Sequence, residues 1–213
     1  MHELSSTGTA KVLLLGVTLA VLQQWCGINV IFNYAQEIFA AAGYQVSGIL
    51  FSIVITGAVN VVFTLIALGA IDRYGRRFLL LCGVLGLVLI YTVLGTFYHL
   101  HLHLQGKPML VLVLAAIACY SMSLAPVTWV VIAEIFPNRV RGSAMSIAVT
   151  ALWTACFVLT YTFPALNAAL GAAGVFWTYA AICLAGVIFL YFSLPETRGK
   201  TLEEIEAEIR TSK

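Results

Sequence analysis

An amide cluster lies in the middle of a segment that is otherwise apolar. Gln23, Gln24 and Asn29 fall within the stretch from about 12 to 39, and Gly27 stands among them. A polar group in hydrocarbon is costly unless it is paired, so membrane helices keep amides to bond neighbouring helices or to line a ligand path. Gly27 weakens the helix at this point and frees backbone groups to face a cavity. Amides beside a helix break at membrane depth predict the substrate site of a carrier.

Polar side chains recur at helical spacing in other apolar segments as well. They form one face in each of three segments: Asn29, Asn33 and Gln36; Ser52, Thr56, Asn60 and Thr64; and Thr150, Trp153, Thr154 and Tyr161. None of these groups is charged. Amides donate and accept hydrogen bonds, and an indole face covers the C–H surface of a sugar ring, so this chemistry suits a neutral, hydroxyl-rich solute. For any single face, bonding between helices is the alternative interpretation.

The composition indicates a membrane protein. Hydrophobic residues make up 62% of the 213 residues and charged residues only 9%, with a mean hydropathy of +1.00. A soluble domain could not cover its surface with so few charges. The net charge of +2 does not indicate a nucleic-acid partner. The cysteines have neither metal-ligand spacing nor the pattern of a disulfide framework, and we interpret them as small core residues: Cys26, Cys82, Cys119, Cys156 and Cys183.

Six segments are long enough to cross about 30 Å of hydrocarbon. They lie at about 11–39, 46–71, 78–98, 109–134, 141–165 and 172–194. An even number places both termini on one side of the membrane. All 11 lysines and arginines except Lys107 fall on that side, which predicts cytoplasmic termini and a multi-pass protein of the plasma or inner membrane.

Three regions follow from these spans. Residues 1–10 are a cytoplasmic N-terminal segment, 11–194 the transmembrane domain, and 195–213 a cytoplasmic tail. Leu202, Ile205 and Ile209 repeat at i, i+3 and i+7 in the tail, with Thr201 as a potential N-cap. The tail is too polar to span, so we expect a short amphipathic helix lying against the bundle.

Charged residues gather at the membrane edge. Acidic residues and arginines occupy three cytoplasmic helix ends: Asp72, Arg73, Arg76 and Arg77; Glu134 and Arg141; and Glu196 and Arg198. Partly shielded pairs between such ends can hold one conformation closed and separate in another. The acids distinguish these ends from ordinary orientation signals.

Taken in order, these motifs resemble the sugar porters of the major facilitator superfamily, specifically their C-terminal six helices. The matching residues run over nearly the whole chain: Gln23, Gln24, Gly27, Ile28 and Asn29; Asn60; Asp72, Arg73, Gly75, Arg76 and Arg77; Pro126, Trp129, Glu134, Phe136, Pro137, Arg141 and Gly142; Trp153; and residues 195–201. The resemblance implies an all-α fold of six transmembrane helices, one half of the complete transporter.

The resemblance also implies roles for individual residues. The sugar-binding set corresponds to Gln23, Gln24, Asn29, Asn33, Tyr34, Asn60, Trp129 and Trp153. The salt-bridge network of the outward-facing state corresponds to Asp72, Arg73, Arg76, Arg77, Glu134, Arg141, Glu196 and Arg198. Three positions depart from the family pattern: Asn33 replaces a tyrosine, Leu152 an amide and Ala125 a glycine. These departures leave the identity of the sugar open.

Enzymatic chemistry is not indicated. The sequence contains no nucleophile–base pair, metal motif or phosphate-binding loop, so we expect neither catalysis nor a cofactor. The predicted external loop contains His99, His101 and His103. We interpret them as solvated loop residues and not as a metal site.

The expected function is therefore transport of a hexose or pentose by alternating access. The alternatives are a carrier for another polyol such as inositol, a sugar sensor that does not transport, and an inactive truncated product. Proton symport and passive uniport both remain open. The expected partners are the sugar, the lipid bilayer, and either a missing N-terminal six-helix half or a second copy of the chain.

Overall fold

Helices make up the regular structure of the described part of the chain. The computed structural model describes residues 7–36, 45–100, 107–196 and 198–199. Its helices are α1 (Thr7–Trp25), α2 (Ile28–Asn33), α3 (Val46–Tyr74), α4 (Arg76–His99), α5 (Lys107–Met122), α6 (Leu124–Ile135) and α7 (Arg141–Ser193). Within these residues, five stretches are long and apolar enough to cross a membrane: Ala10–Asn33, Val46–Tyr74, Arg76–His99, Pro108–Ile135 and Arg141–Ser193. The predicted all-α fold class is confirmed.

The last of these stretches contains two of the predicted spans. At about 1.5 Å per residue its 53 residues would extend roughly 80 Å, far more than one bilayer crossing needs. Gly171 interrupts the helix, because its φ of 66° and ψ of 174° are not helical. The interruption separates residues 141–170 from 172–193, close to the predicted spans 141–165 and 172–194.

The first predicted span is broken at Gly27, as its sequence indicates. Gly27 has a φ of 84° between α1 and α2, a left-handed conformation that side chains rarely adopt. A Cβ at this position would also lie only 2.7 Å from Cγ of Tyr179. Position 27 requires glycine for both reasons. Residues 37–39, the predicted end of this span, lie outside the described ranges.

The fourth predicted span is also two helices. Pro126 has no N–H to bond the carbonyl of Met122. The helix is interrupted at Ser123, the residue after Met122, whose φ of −128° and ψ of −91° are not helical. Oγ of Ser123 donates to the carbonyl of Cys119 at 2.6 Å. The proline thus marks the position in this span at which the helix is interrupted.

The core is built around α7. Helices α1 and α4 pack most extensively against it, and α3 packs mainly against α5. Leu19, Ile28, Leu87 and Tyr91 are among the fully buried side chains. In contrast, large apolar residues on α3, such as Phe51 and Leu65, are exposed, as expected where a helix meets lipid.

Two of the predicted segments remain predictions. Residues 1–6 of the N-terminal segment and 200–213 of the tail, including the expected amphipathic helix, fall outside the part of the chain that the structure describes.

Candidate functional site

The amide cluster of the first span lies on both sides of the break at Gly27. Gln23 and Gln24 end α1 and are buried, with exposed fractions of 3% and 7%. Nε2 of Gln23 donates to the carbonyl of Ala125 at 3.2 Å, which connects α1 to α6 one residue before Pro126. Gln23 therefore bonds two helices together, the role that the alternative interpretation gives to such amides.

Gln24 and Asn29 form a pair across the break. Nδ2 of Asn29 donates to Oε1 of Gln24, so an amide from α2 meets one from α1. Gln24 is buried and Asn29 is half-buried. The pair keeps further donors and acceptors that could bind a solute, since each amide offers both. The structure thus brings together two of the predicted sugar-binding residues.

Asn33 and Tyr34 both contact Thr160 on α7. Nδ2 of Asn33 lies 3.4 Å from Oγ1 of Thr160, and the hydroxyl of Tyr34 donates to the carbonyl of Thr160 at 3.3 Å. The ring of Tyr34 packs on Phe163 with centroids 4.4 Å apart. These contacts attach α2 to α7, and the exposed Asn33 continues the line of amides that begins at Gln24.

The other predicted binding residues lie on separate helices. Asn60 is half-buried on α3 and accepts a hydrogen bond from Oγ1 of Thr64 at 3.3 Å. Trp129 on α6 and Trp153 on α7 are exposed by 37% and 65%. The described hydrogen bonds do not join Asn60 or either indole to the Gln24–Asn29 pair.

Three residues near the cluster were not predicted. Nε1 of Trp25 donates to the carbonyl of Ala155 at 3.2 Å, Thr160 bonds Asn33 and Tyr34, and Tyr179 packs against Gly27. Pro164 was the only available signal for Thr160, because a proline leaves the carbonyl four residues earlier without its helical donor. Trp25 and Tyr179 carried no sequence signal of this kind.

A second cluster is centred on Arg76, the first residue of α4. Nη2 of Arg76 is 2.9 Å from Oε1 of Glu134 and 3.4 Å from Oδ1 of Asp72. The Arg76 side chain is 14% exposed, whereas that of Asp72 is 82% exposed. The pair with Glu134 is therefore the better shielded of the two, and it joins α4 to α6.

Glu196 contributes to this cluster through backbone groups. Its carboxylate accepts hydrogen bonds from three backbone N–H groups: that of Arg76 at 3.0 Å, that of Arg77 at 3.2 Å and that of Arg198 at 3.1 Å. The first two are N-terminal amides of α4, which have no partner within their own helix. Glu196 thus caps α4 from beyond the end of α7, and its negative charge suits the helix N-terminus.

The remaining arginines of the predicted network have other neighbours. Nη2 of Arg77 donates to the carbonyl of Tyr191 at 2.5 Å, and its guanidinium lies over the Tyr191 ring. Arg73 lies over the ring of Tyr74, 5.6 Å from the centroid. Nε of Arg141 donates to the carbonyl of Phe136 at 3.2 Å, which fixes the turn between α6 and α7.

Metal binding has no support in the described ranges, where no group of three or more His, Cys, Asp or Glu side chains could hold an ion. The five cysteines are free thiols.

Comparison with known proteins supplies independent information. The family described as "Sugar (and other) transporter" matches residues 1–209. The D-xylose-proton symporter of Escherichia coli K12 is 37% identical over 202 residues, which cover 92% of this chain and 41% of the symporter. Trehalose transporter 1 of Drosophila melanogaster is 38% identical over 215 residues, covering 98% of this chain and 25% of that protein.

Solved structures agree with these matches. A proton:xylose symporter of the major facilitator superfamily, bound to 6-bromo-6-deoxy-D-glucose, superimposes with a TM-score of 0.83 at 37% identity. The superposition covers 92% of this chain and 42% of the symporter. The chain therefore spans less than half the length of these relatives.

Proposed function

The chain belongs to the sugar transporter family of the major facilitator superfamily, whose members are multi-pass membrane proteins, and we propose that it serves to carry a neutral hexose or pentose across the membrane. The observation that carries this proposal is the Gln24–Asn29 amide pair beside Gly27. Two helix ends meet there at membrane depth, and both present amides. Transporters of this superfamily bind their substrates at such interruptions.

The chemistry of the proposed site suits a sugar. Amides of Gln24, Asn29, Asn33 and Asn60 can pair with hydroxyl groups, and the exposed indole of Trp153 offers a flat apolar surface for the ring. A solute rich in hydroxyls requires a partner for each group that leaves water. Gln23 helps to fix the site, because its bond to Ala125 holds α1 against α6.

The charge cluster supports transport by alternating access. Arg76 joins α4 to α6 through Glu134, and Glu196 joins the segment after α7 to the start of α4. Bonds that link three helix ends on one side can close that side and separate when it opens. We place this cluster, with both termini, on the cytoplasmic side, because the positive charges gather there.

A complete transporter requires a second half. The face that bears Trp153, Phe157 and Tyr161 is exposed by 65%, 66% and 75%. In this superfamily two six-helix halves enclose the substrate between them. We propose that an N-terminal six-helix half covers this face, either within a longer polypeptide or as a separate chain. A second copy of this chain is the alternative.

Binding and transport should be measured on the same preparation. The purified chain is reconstituted in lipid vesicles, alone and together with an N-terminal six-helix half, and its oligomeric state is determined. Binding and uptake of labelled D-xylose, D-glucose, trehalose and inositol are followed with and without a proton gradient. We expect saturable binding of a hexose or pentose, and uptake only when a second half is present. Saturable uptake by a demonstrated monomer would contradict the two-half arrangement.

The same measurement separates the alternatives. Preference for inositol over every sugar would indicate a polyol carrier. Sugar binding by the two-half assembly without uptake would indicate a sensor, and the absence of any binding by that assembly would indicate an inactive product. A dependence of uptake on the proton gradient would distinguish symport from uniport.

A further inference from the structure

We propose that a cavity between α2, α4 and both parts of α7 binds an amphiphile from the bilayer that has a flat apolar body and one hydrogen-bonding head group. The cavity has a volume of about 370 Å³. Ligand sites typically have volumes of about 300–1,000 Å³, so it is large enough for a small molecule.

The cavity lies on a different face of α2 from the amide line. Gly27, Ile31 and Tyr34 line it and recur at i, i+4 and i+7, so they share one face of the chain around α2. Asn29 and Asn33 recur at i and i+4 on another face. The short helix α2 is therefore a wall one helix thick between the proposed sugar site and the cavity.

The walls of the cavity are mainly aromatic. Tyr98 and Phe176 are stacked with centroids 5.7 Å apart and planes 17° apart, and Tyr91 lies 6.0 Å from Phe176. None of the described lining residues is charged. Their polar groups are the exposed amide of Asn167 at the edge and the tyrosine hydroxyls, of which those of Tyr91 and Tyr179 are buried without a hydrogen-bond partner. Flat rings pack well against rings, and the amide can pair with a single polar group.

The position of the cavity indicates where the ligand comes from. Tyr98 lies at the C-terminal end of α4, whose 24 residues extend about 36 Å from Arg76, so this end of the cavity and the Arg76 cluster lie near opposite ends of α4. Asn167 lies shortly before Gly171, where the two parts of α7 meet. A molecule dissolved in the bilayer can therefore keep its head group near water while its body enters the cavity.

Occupancy would act on α2. The ring of Tyr179 lines the cavity and packs directly against Gly27, the residue at which α2 departs from α1. A ligand that fills the cavity would contact Ile31 and Tyr179 together and hold α2 in its present position. If the proposed function is correct, such a ligand would alter sugar affinity without entering the sugar site.

The test is photolabelling of the purified chain in nanodiscs with a 2-naphthol that carries an alkyl diazirine. We expect adducts in the segments around Tyr98 and Phe176, displaced by unlabelled 2-naphthol but not by 1-decanol. Ala172→Trp and Ala168→Trp, which fill the cavity, should each abolish these adducts. Ala165→Trp is the matched control and should retain them, because Ala165 does not line the cavity. Thermal unfolding identifies any variant that fails to fold.

Several outcomes would overturn the proposal. Adducts scattered over lipid-facing residues such as Phe51, or adducts that unlabelled naphthol does not displace, would show partitioning into lipid only. Equal displacement by 1-decanol would contradict the preference for a flat ring. If the wild-type chain binds no sugar but is labelled as expected, the proposed function fails while the cavity site stands.

Discussion

The hydroxyl of Tyr34 donates a hydrogen bond to the backbone carbonyl of Thr160, 3.3 Å away. Pro164 lies four residues after Thr160 within α7, and it has no N–H to fill that position of the helix. Tyr34 thus takes the place of the missing backbone donor. An unpaired carbonyl is costly within a membrane, so this bond both satisfies α7 and attaches α2 to it.

Tyr34→Phe should lower the free energy of unfolding by about 0.5–1.5 kcal/mol, because the Thr160 carbonyl loses its donor. The measurement is thermal or chemical unfolding in detergent, with Tyr161→Phe as the control, since Tyr161 is 75% exposed. Pro164→Ala restores a backbone N–H and should recover part of the loss in the Tyr34→Phe background. A variant with unchanged stability but weakened sugar binding would instead assign Tyr34 to the substrate.

Gln24→Ala and Asn60→Ala should each weaken sugar binding by about 1–3 kcal/mol, because each leaves a sugar hydroxyl without its partner in a dry site. Equilibrium binding of labelled sugar measures the effect. Asn138→Ala, at an exposed position between α6 and α7, is the matched control. Normal binding by both folded variants would favour the alternative in which these amides only bond neighbouring helices.

The Gln24 and Asn29 substitutions should not be additive. Because the two amides bond each other, removing one already disrupts the other, and a double-mutant cycle should give a coupling of about 0.5–3 kcal/mol in sugar binding. The same cycle for Gln24 and Asn60 tests whether the sugar bridges residues that the described hydrogen bonds leave apart. Additivity in the Gln24–Asn29 cycle would mean that the pair does not act as a unit.

Arg76→Gln should shift the conformational balance toward the state that is open on the side of the cluster, since it breaks the shielded pair with Glu134. Accessibility of a single introduced cysteine in the substrate path, with and without sugar, reports this shift. Arg73→Gln removes an exposed arginine that lies over Tyr74 and should change the balance little. Equal effects of both substitutions would point to net charge and away from the specific pair.

Cysteines introduced by Asn138→Cys and Asn167→Cys should be accessible to a thiol reagent from opposite sides of the membrane. Both asparagines are exposed, and in the predicted topology Asn138 is cytoplasmic while Asn167 is external. An impermeant thiol reagent applied to intact cells expressing a cysteine-free background should label only Asn167→Cys. The reverse pattern would invert the proposed orientation.

The sequence predicted the helical fold well because its strongest signals are physical necessities of a membrane. Long apolar segments must be helical there, and Gly27 and Pro126 mark two breaks that the structure contains. The interruption at Gly171 was predicted only as a short connection, because one non-helical residue leaves a weak composition signal.

The site was harder to predict because its geometry depends on contacts between distant residues. Sequence spacing placed Gln24 and Asn29 in one cluster, and the structure pairs them. It could not show that Gln23 bonds the carbonyl of Ala125, that Tyr34 bonds that of Thr160, or that Glu196 accepts backbone N–H groups. Backbone acceptors and donors are present at every residue, so no residue type marks them in advance.

The cap that Glu196 provides has a consequence for biosynthesis. Gly75 has a φ of 89°, and a Cβ there would lie 2.7 Å from Oε2 of Glu196, so the turn before α4 fits closely around a carboxylate 121 positions later in the chain. A ribosome therefore delivers α4 to the membrane long before its cap exists. During translation the first amides of α4 must rely on water or lipid head groups, and the bundle is completed only when the segment after α7 emerges.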